Sequence, residues 1–165
     1  IQTTDIADMT KFVSRDQLLV MRDGTFIALP RGTYAAGEGQ KYIDEGVVQS
    51  FTFGPLLVND GEAVELPEKY IISTKDTIRE PRTAIGQAKD GTVIMMVVDG
   101  RQMHSFGISI ERCGEIMEQY GAYQASMLDG GSSSVMVYRG REITSPTTLS
   151  QNEEGRYLPD AFLVK

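Results

Sequence analysis

Two acids in this sequence stand where a strand-like apolar run stops and a glycine follows: Asp99, after Val93-Ile-Met-Met-Val-Val98, and Asp129, after Ala125-Ser-Met-Leu128. An acid at the end of a buried strand is rigidly held and half desolvated, a setting suited to proton transfer or to stabilising a developing positive charge. The plainer reading of an Asp-Gly pair is a turn. Three further pairs, at Asp23, Asp60 and Asp90, lie between matched strand-like runs, and hairpin-turn chemistry accounts for them. Asp99 and Asp129 differ, because Gly100-Arg101 and a loop follow the first, and Gly130-Gly131-Ser132-Ser133-Ser134 follows the second.

That glycine-serine stretch can turn several backbone N–H groups and hydroxyls toward an anion, since glycine tolerates the positive φ of a nest. A simple turn between two strands is the structural alternative. The stretch lacks the Gly-Lys-Ser/Thr ending of a P-loop, and it is not a nucleophile elbow. Arg82, Arg101 and Arg156 lie near these acids or in loops, and guanidinium suits bidentate phosphate recognition, although any single one reads first as a solvated surface charge. His104 follows Asp99 by five residues; it can shuttle protons near neutral pH or stand by in solvent. Cys113 falls on an apolar helical stripe and reads as core. No His/Cys cluster at zinc spacing and no Asp-rich calcium loop occurs.

The elements that must position these groups are mostly strands. Gln17–Arg22 and Thr25–Leu29 are predicted to pair across Asp23-Gly24, Leu56–Val58 and Ala63–Leu66 across Asn59-Asp60-Gly61, and Thr83–Ala88 and Thr92–Val98 across Asp90-Gly91. The run Val93 to Val98 has no alternation, which predicts a strand buried on both faces. From Ser109 to Gly121 the period changes to helical: Ile110, Cys113, Ile116, Met117 and Tyr120 share a stripe, with Ser109 as N-cap and Gly121 at the C′ position. Tyr123–Leu128, Val135–Tyr138 and Ala161–Val164 read as further strands. Arg31 to Gly46 and Glu142 to Arg156 read as loops, the second long enough to cover a site. The expected fold is therefore α+β, a mixed and largely antiparallel sheet with few helices, as one domain over residues 1–165.

The 165 residues (18.2 kDa, 41% apolar, 24% charged) are enough to bury a core without disulfides, and the lone Cys113 leaves the redox compartment open. Sixteen basic against 23 acidic residues give a net charge of −7. With no basic run, that argues against nucleic acid or an anionic membrane as partner. The longest purely apolar run, six residues, is far below the roughly 20 needed to span a bilayer. With no Met at its start, the chain reads as a mature or excised piece.

Taken together, Phe53-Gly-Pro-Leu-Leu-Val-Asn-Asp-Gly61, Arg82-Thr-Ala-Ile-Gly86, Val97-Val-Asp-Gly-Arg101, Gly107-Ile-Ser-Ile110 and Gly121-Ala-Tyr-Gln-Ala-Ser-Met-Leu-Asp-Gly-Gly-Ser-Ser-Ser134 resemble the phosphodiester glycosidase family. The resemblance runs in order from about Val47 to Lys165. It implies an α+β domain that hydrolyses α-linked sugar-1-phosphodiesters, with bacterial members exported or held in the envelope and linked to exopolysaccharide. On that reading Asp99, Asp129 and Arg101 are the catalytic candidates. Arg82, His104 and the loop Gly130, Gly131, Ser132, Ser133 and Ser134 are the substrate-binding ones, with a carbohydrate phosphodiester as partner and no cofactor. Two departures stand out: nothing in Ile1 to Thr10 matches the Asn-, Gly- and aromatic-rich segment that opens family members, and Ser132 stands where the family often has a third glycine. A noncatalytic module for phosphorylated envelope polysaccharide is the alternative. A divalent-metal phosphodiesterase with Asp99 and Asp129 as oxygen ligands is a third reading.

Overall fold

The structure, a computed structural model, describes residues 15–35, 38–66, 78–147, 156–158 and 161–164. Strands β1 (Gln17–Met21), β2 (Phe26–Leu29) and β3 (Val47–Phe51) form one antiparallel sheet in the order β2-β1-β3. A second sheet of five strands has the order β5-β4-β8-β6-β7, built from β4 (Leu56–Asn59), β5 (Glu62–Ala63), β6 (Arg82–Ala88), β7 (Val93–Val98) and β8 (Ala122–Met127). All its pairings are antiparallel. A small hairpin joins β9 (Val137–Tyr138) to β10 (Arg141–Glu142). Among the described residues the α-helices are α1 (Gly39–Asp44) and α2 (Ile110–Gln119).

Side-chain alternation stacks these elements into four layers. Leu18, Phe26 and Ala28 of the small sheet meet Leu56 and Ile85 of the large one. On the outer face of the large sheet, Ala84, Ala125 and Met127 pack against Ile110, Cys113 and Met117 of α2. Leu19, Leu29 and Val47 face the other way, toward Tyr42 and Ile43 of α1. The fold is thus α+β and dominated by antiparallel sheet, as expected.

All three Asp-Gly hairpins form in the anticipated pairings. Their chemistry is visible at two of them, where Asp23 accepts the Thr25 N–H and Asp90 the Thr92 N–H, each at 2.9 Å. Those backbone bonds hold both carboxyls below their ordinary range. Helix α2 starts at the expected cap, with Ser109 Oγ accepting the Arg112 N–H at 3.2 Å. Ser109→Ala is expected to cost about 1 kcal/mol, read as a lowered denaturation midpoint.

Several expectations need correction. The β7 run is not buried on both faces: it is the edge strand, with Val93 45% exposed and the rest half-buried, because β6 pairs one side only. The 31–46 stretch contains α1, six residues long and too short to show a period. Ala161–Val164 forms no strand; its Phe162 instead stacks on Phe51 at 4.8 Å between ring centroids. The strands predicted over Ala63–Leu66 and Val135–Tyr138 shrink to two residues each, and β10 ends on Glu142, the first residue of the predicted 142–156 loop. Residues Ile1 to Thr10 and the middle of that loop, 148–155, lie outside the described residues.

Candidate active site

Register places both acids at one end of the large sheet. Arg82, the first residue of β6, pairs with Val98, the last of β7, and Ala84 pairs with Met127, the last of β8. Asp99 and Asp129 therefore leave the sheet on either side of the β6 start. Two strand spacings separate their backbones, about 10 Å.

The peptide leading into β6 fixes this arrangement. Pro81 is fully buried, and the loops that carry the acids close on it through glycines. A Cβ on Gly100 would lie 2.5 Å from Pro81 N, and one on Gly130 2.9 Å from Pro81 O. Gly107, at φ +89°, would meet the Glu80 carbonyl at 2.4 Å. Hydrogen bonds complete the clasp: Gly131 N–H donates to Pro81 O (2.8 Å), Leu128 N–H to Thr83 O (2.9 Å), and Glu80 and Ile108 exchange their backbone bonds. In both pairs of interest, the glycine after the aspartate is there for close approach rather than for a hairpin turn.

Around this clasp the polar groups converge. Asp99 is half-buried; its Oδ1 accepts the Ser145 N–H at 2.9 Å, and its Oδ2 lies 3.3 Å from Nε2 of the exposed His104. Asp129 is exposed, accepts Ser133 Oγ–H at 2.6 Å on Oδ2, and has Arg156 Nη1 at 3.9 Å from the same oxygen. Arg101, in a left-handed conformation (φ +59°), donates Nε–H to Glu80 Oε2 at 2.5 Å. Its Nη2 lies 3.4 Å from where a Cβ on Gly131 would be. Arg101 thus spans from Glu80 to the glycine-serine loop, with its outer N–H groups toward that loop.

The loop is less open than the sequence suggests. It forms a 3-10 turn over Gly131–Ser133. The amides of Gly131, Ser133 and Ser134 are spent on Pro81, Gly130 and Gly131 carbonyls. Ser133 and Ser134 are buried, the latter accepting Thr83 Oγ–H at 3.0 Å. Among the described residues only the Gly130 and Ser132 amides of this loop are without a protein acceptor, so a full nest is not built.

Arg82 turns toward α2, its Nε–H donating to Ile108 O (3.1 Å) and its Nη2 to Ile78 O (3.4 Å). Burial pushes its guanidinium down from the ordinary value, and Glu80 and Arg101 are near enough to act on its charge. Glu80 and Ser145 were not legible as site residues: a Glu before Pro carries no motif, and Ser145 acts through its backbone. Gln102 Nε2 hydrogen-bonds Ser145 O and Thr147 Oγ1 bonds Gly100 O (3.2 Å), so residues 145–147 do lie over the Asp99 loop. Among the described residues no three His, Cys, Asp or Glu side chains gather as a metal-ligand set.

Cys113 sits beside Arg82, fully buried, and burial pushes its thiol up to about 12. The unfolded chain loses this proton near pH 8.5, so the native state retains it where the unfolded state does not. Stability is therefore expected to fall as pH rises from about 9 toward 12. The check is the denaturation midpoint across that window, where Cys113→Ala should flatten the slope relative to wild type.

A cavity of about 500 Å³ lies away from the acids. It lies at the opposite end of the large sheet, lined by Asp23–Phe26, Gln87–Lys89 and Tyr123–Gln124.

The sequence model of the phosphodiester glycosidase family matches residues 3–165. A SPbeta prophage-derived uncharacterised protein of Bacillus subtilis is 35% identical over 105 residues, 62% of this chain and 16% of that protein. N-acetylglucosamine-1-phosphodiester alpha-N-acetylglucosaminidase of Mus musculus is 28% identical over 114 residues, 67% of this chain and 22% of that protein. Among solved structures, the catalytic domain of the zebrafish enzyme of that name, auto-inhibited by its pro-peptide, aligns with a TM-score of 0.64 at 22% identity. The alignment covers 81% of this chain and 45% of that one. A hypothetical protein from Synechocystis aligns at 0.51 and 21% identity, over 82% of this chain and 32% of that one. These structural likenesses concern the fold, and the chain spans less than a quarter of the length of the curated relatives it matches.

Proposed function

The chain belongs to the phosphodiester glycosidase family, and from that premise we propose that it hydrolyses the bond between an anomeric carbon and a phosphodiester oxygen, releasing an N-acetylglucosamine-like sugar from an envelope or exported glycan. The observation that carries this reading is the clasp on Pro81, which holds Asp99, Asp129 and Arg101 at one sheet end. A phosphate leaving group departs without strong protonation, so the main requirement is a fixed positive field for its charge. Arg101, oriented by Glu80, with the Gly130 and Ser132 amides supplies that field beside Gly131, and Arg82 adds charge from the helix side.

Asp99 and Asp129 flank the position a sugar ring would take above the β6 start. One stabilises or attacks the oxocarbenium-like centre or activates water, and the other orients sugar hydroxyls. Ser145 and His104 hold the first acid, Ser133 and Arg156 the second.

Incubating the protein with a sugar-1-phosphodiester and assaying free sugar tests the reading, with release expected. Arg101 and the free Gly130 and Ser132 amides could equally hold a phosphate without cleaving its ester, which favours as second reading a noncatalytic module for phosphorylated polysaccharide; binding without release would select it. Repeating the assay with a chelator tests the divalent-metal reading, and unchanged turnover is expected. An extracytoplasmic location belongs to the same proposal, since the glycan it names is an envelope or exported one; cell fractionation checks it.

A further inference from the structure

The two ends of the large sheet offer opposite chemistry. The acid end presents Arg101 and open amides. The far end, about 20 Å away along the seven residues of β6, holds the cavity between the β1–β2 hairpin tip and the starts of β7 and β8. Its floor is rigid: Gln87 Oε1 accepts the Phe26 N–H at 2.8 Å, and Gln87 Nε2 donates to Gly24 O at 2.8 Å and to Gly91 O at 3.2 Å. That side chain ties the hairpin to the sheet and keeps the walls apart.

Beside it, Gln124 is 8% exposed and donates Nε2–H to Asp60 Oδ1 at 3.2 Å, while its Oε1 has no partner. A buried carbonyl without a donor is costly. Gln124 is one of the residues that line the cavity, so this oxygen is an acceptor left over at its wall. Asp23 stands at the mouth and Asp60 behind Gln124, against one ammonium, Lys89, which lies 4.7 Å from the Tyr123 ring centroid. The lining itself carries one carboxylate and one ammonium and no arginine, next to the apolar surfaces of Phe26 and Val93. A wall without surplus positive charge gives phosphate no special hold and suits an uncharged ligand that can donate to the unpartnered Gln124 oxygen. Its volume falls in the range of small-ligand sites.

We propose that this cleft is a second binding site, separate from the acids, that takes a neutral saccharide unit. Gln124 Oε1 accepts from a sugar hydroxyl or acetamido N–H, and Tyr123 and Val93 border its apolar face. The site stands or falls apart from the hydrolytic reading, since its residues share nothing with the acid end.

The test is an NMR titration of the full chain with the N-acetylglucosamine trimer and, separately, with inorganic phosphate. With the trimer, shifts are expected at Gln87, Lys89, Tyr123 and Gln124, and at this cleft phosphate should give none. Gln124→Leu should weaken trimer binding at least about tenfold. Thr25→Arg, an exposed change that lays a long side chain across the mouth, should do the same if Gln124→Leu fails to fold. Asp129→Asn should leave trimer binding at the cleft unchanged. Absence of shifts there at millimolar trimer, or shifts confined to the acid end, would overturn the proposal; the latter would leave the hydrolytic reading intact.

Discussion

Asp129→Asn is expected to lower turnover of a sugar-1-phosphodiester by at least about 100-fold, the usual scale for loss of an acid–base or charge-stabilising group. The substitution preserves shape, and Ser133 Oγ–H can donate to the amide oxygen as it does to the carboxylate at 2.6 Å. Since Asp129 is exposed, the fold should tolerate the change within about 0.5 kcal/mol. The loss would then be one of chemistry, visible as reduced sugar release at an unchanged unfolding midpoint. Asp99→Asn should match it in turnover and add a small structural cost, because an amide turned the wrong way faces the Ser145 N–H with its own donor. Wild-type turnover in both variants would remove these carboxylates from the mechanism.

Gly107→Ala should be the most damaging single methyl. At φ +89° an L-residue carries left-handed strain of about 1–2 kcal/mol. Its Cβ would also sit 2.4 Å from the Glu80 carbonyl carbon and oxygen, where only backbone could give way. Forcing atoms into packed surroundings adds about 1–3 kcal/mol. Together about 2–5 kcal/mol is lost, a large part of the stability of an ordinary domain. Gly24→Ala is the control: φ is +88°, but nothing lies within 4 Å, so only the strain remains. Denaturant unfolding of the two variants separates clash from strain, and equal losses would mean that the clasp contributes nothing.

The parts of the fold legible in sequence are those set by local chemistry. Asp-Gly turns announce hairpins because positive φ and the Asx bond act within four residues, and α2 shows its stripe over three turns. Strand β3 went unassigned, since Val-Val-Gln-Ser-Phe sits between glycines with no turn partner nearby. An apolar run such as Val93–Val98 reports its composition but not whether another strand lies outside it, so an edge looks like a centre. The candidate acids were legible as strand ends, and register does bring them to one side. The engagement of the Gly131 amide is not legible, because its acceptor, Pro81 O, arrives from 50 residues earlier in the chain. Glu80 escaped notice for the same reason, its partner Arg101 being 21 residues away.

The grip of three glycines on the Glu80–Pro81 peptide has a mechanical consequence. Both carboxylate-bearing loops hang from one bolt, so neither can drift sideways without dragging the other, and their spacing is insulated from wobble in the outlying hairpins. Natural variation at this spot should then be all or none: a larger residue at any of the three glycines would require the peptide itself to reroute, and with it both acids at once.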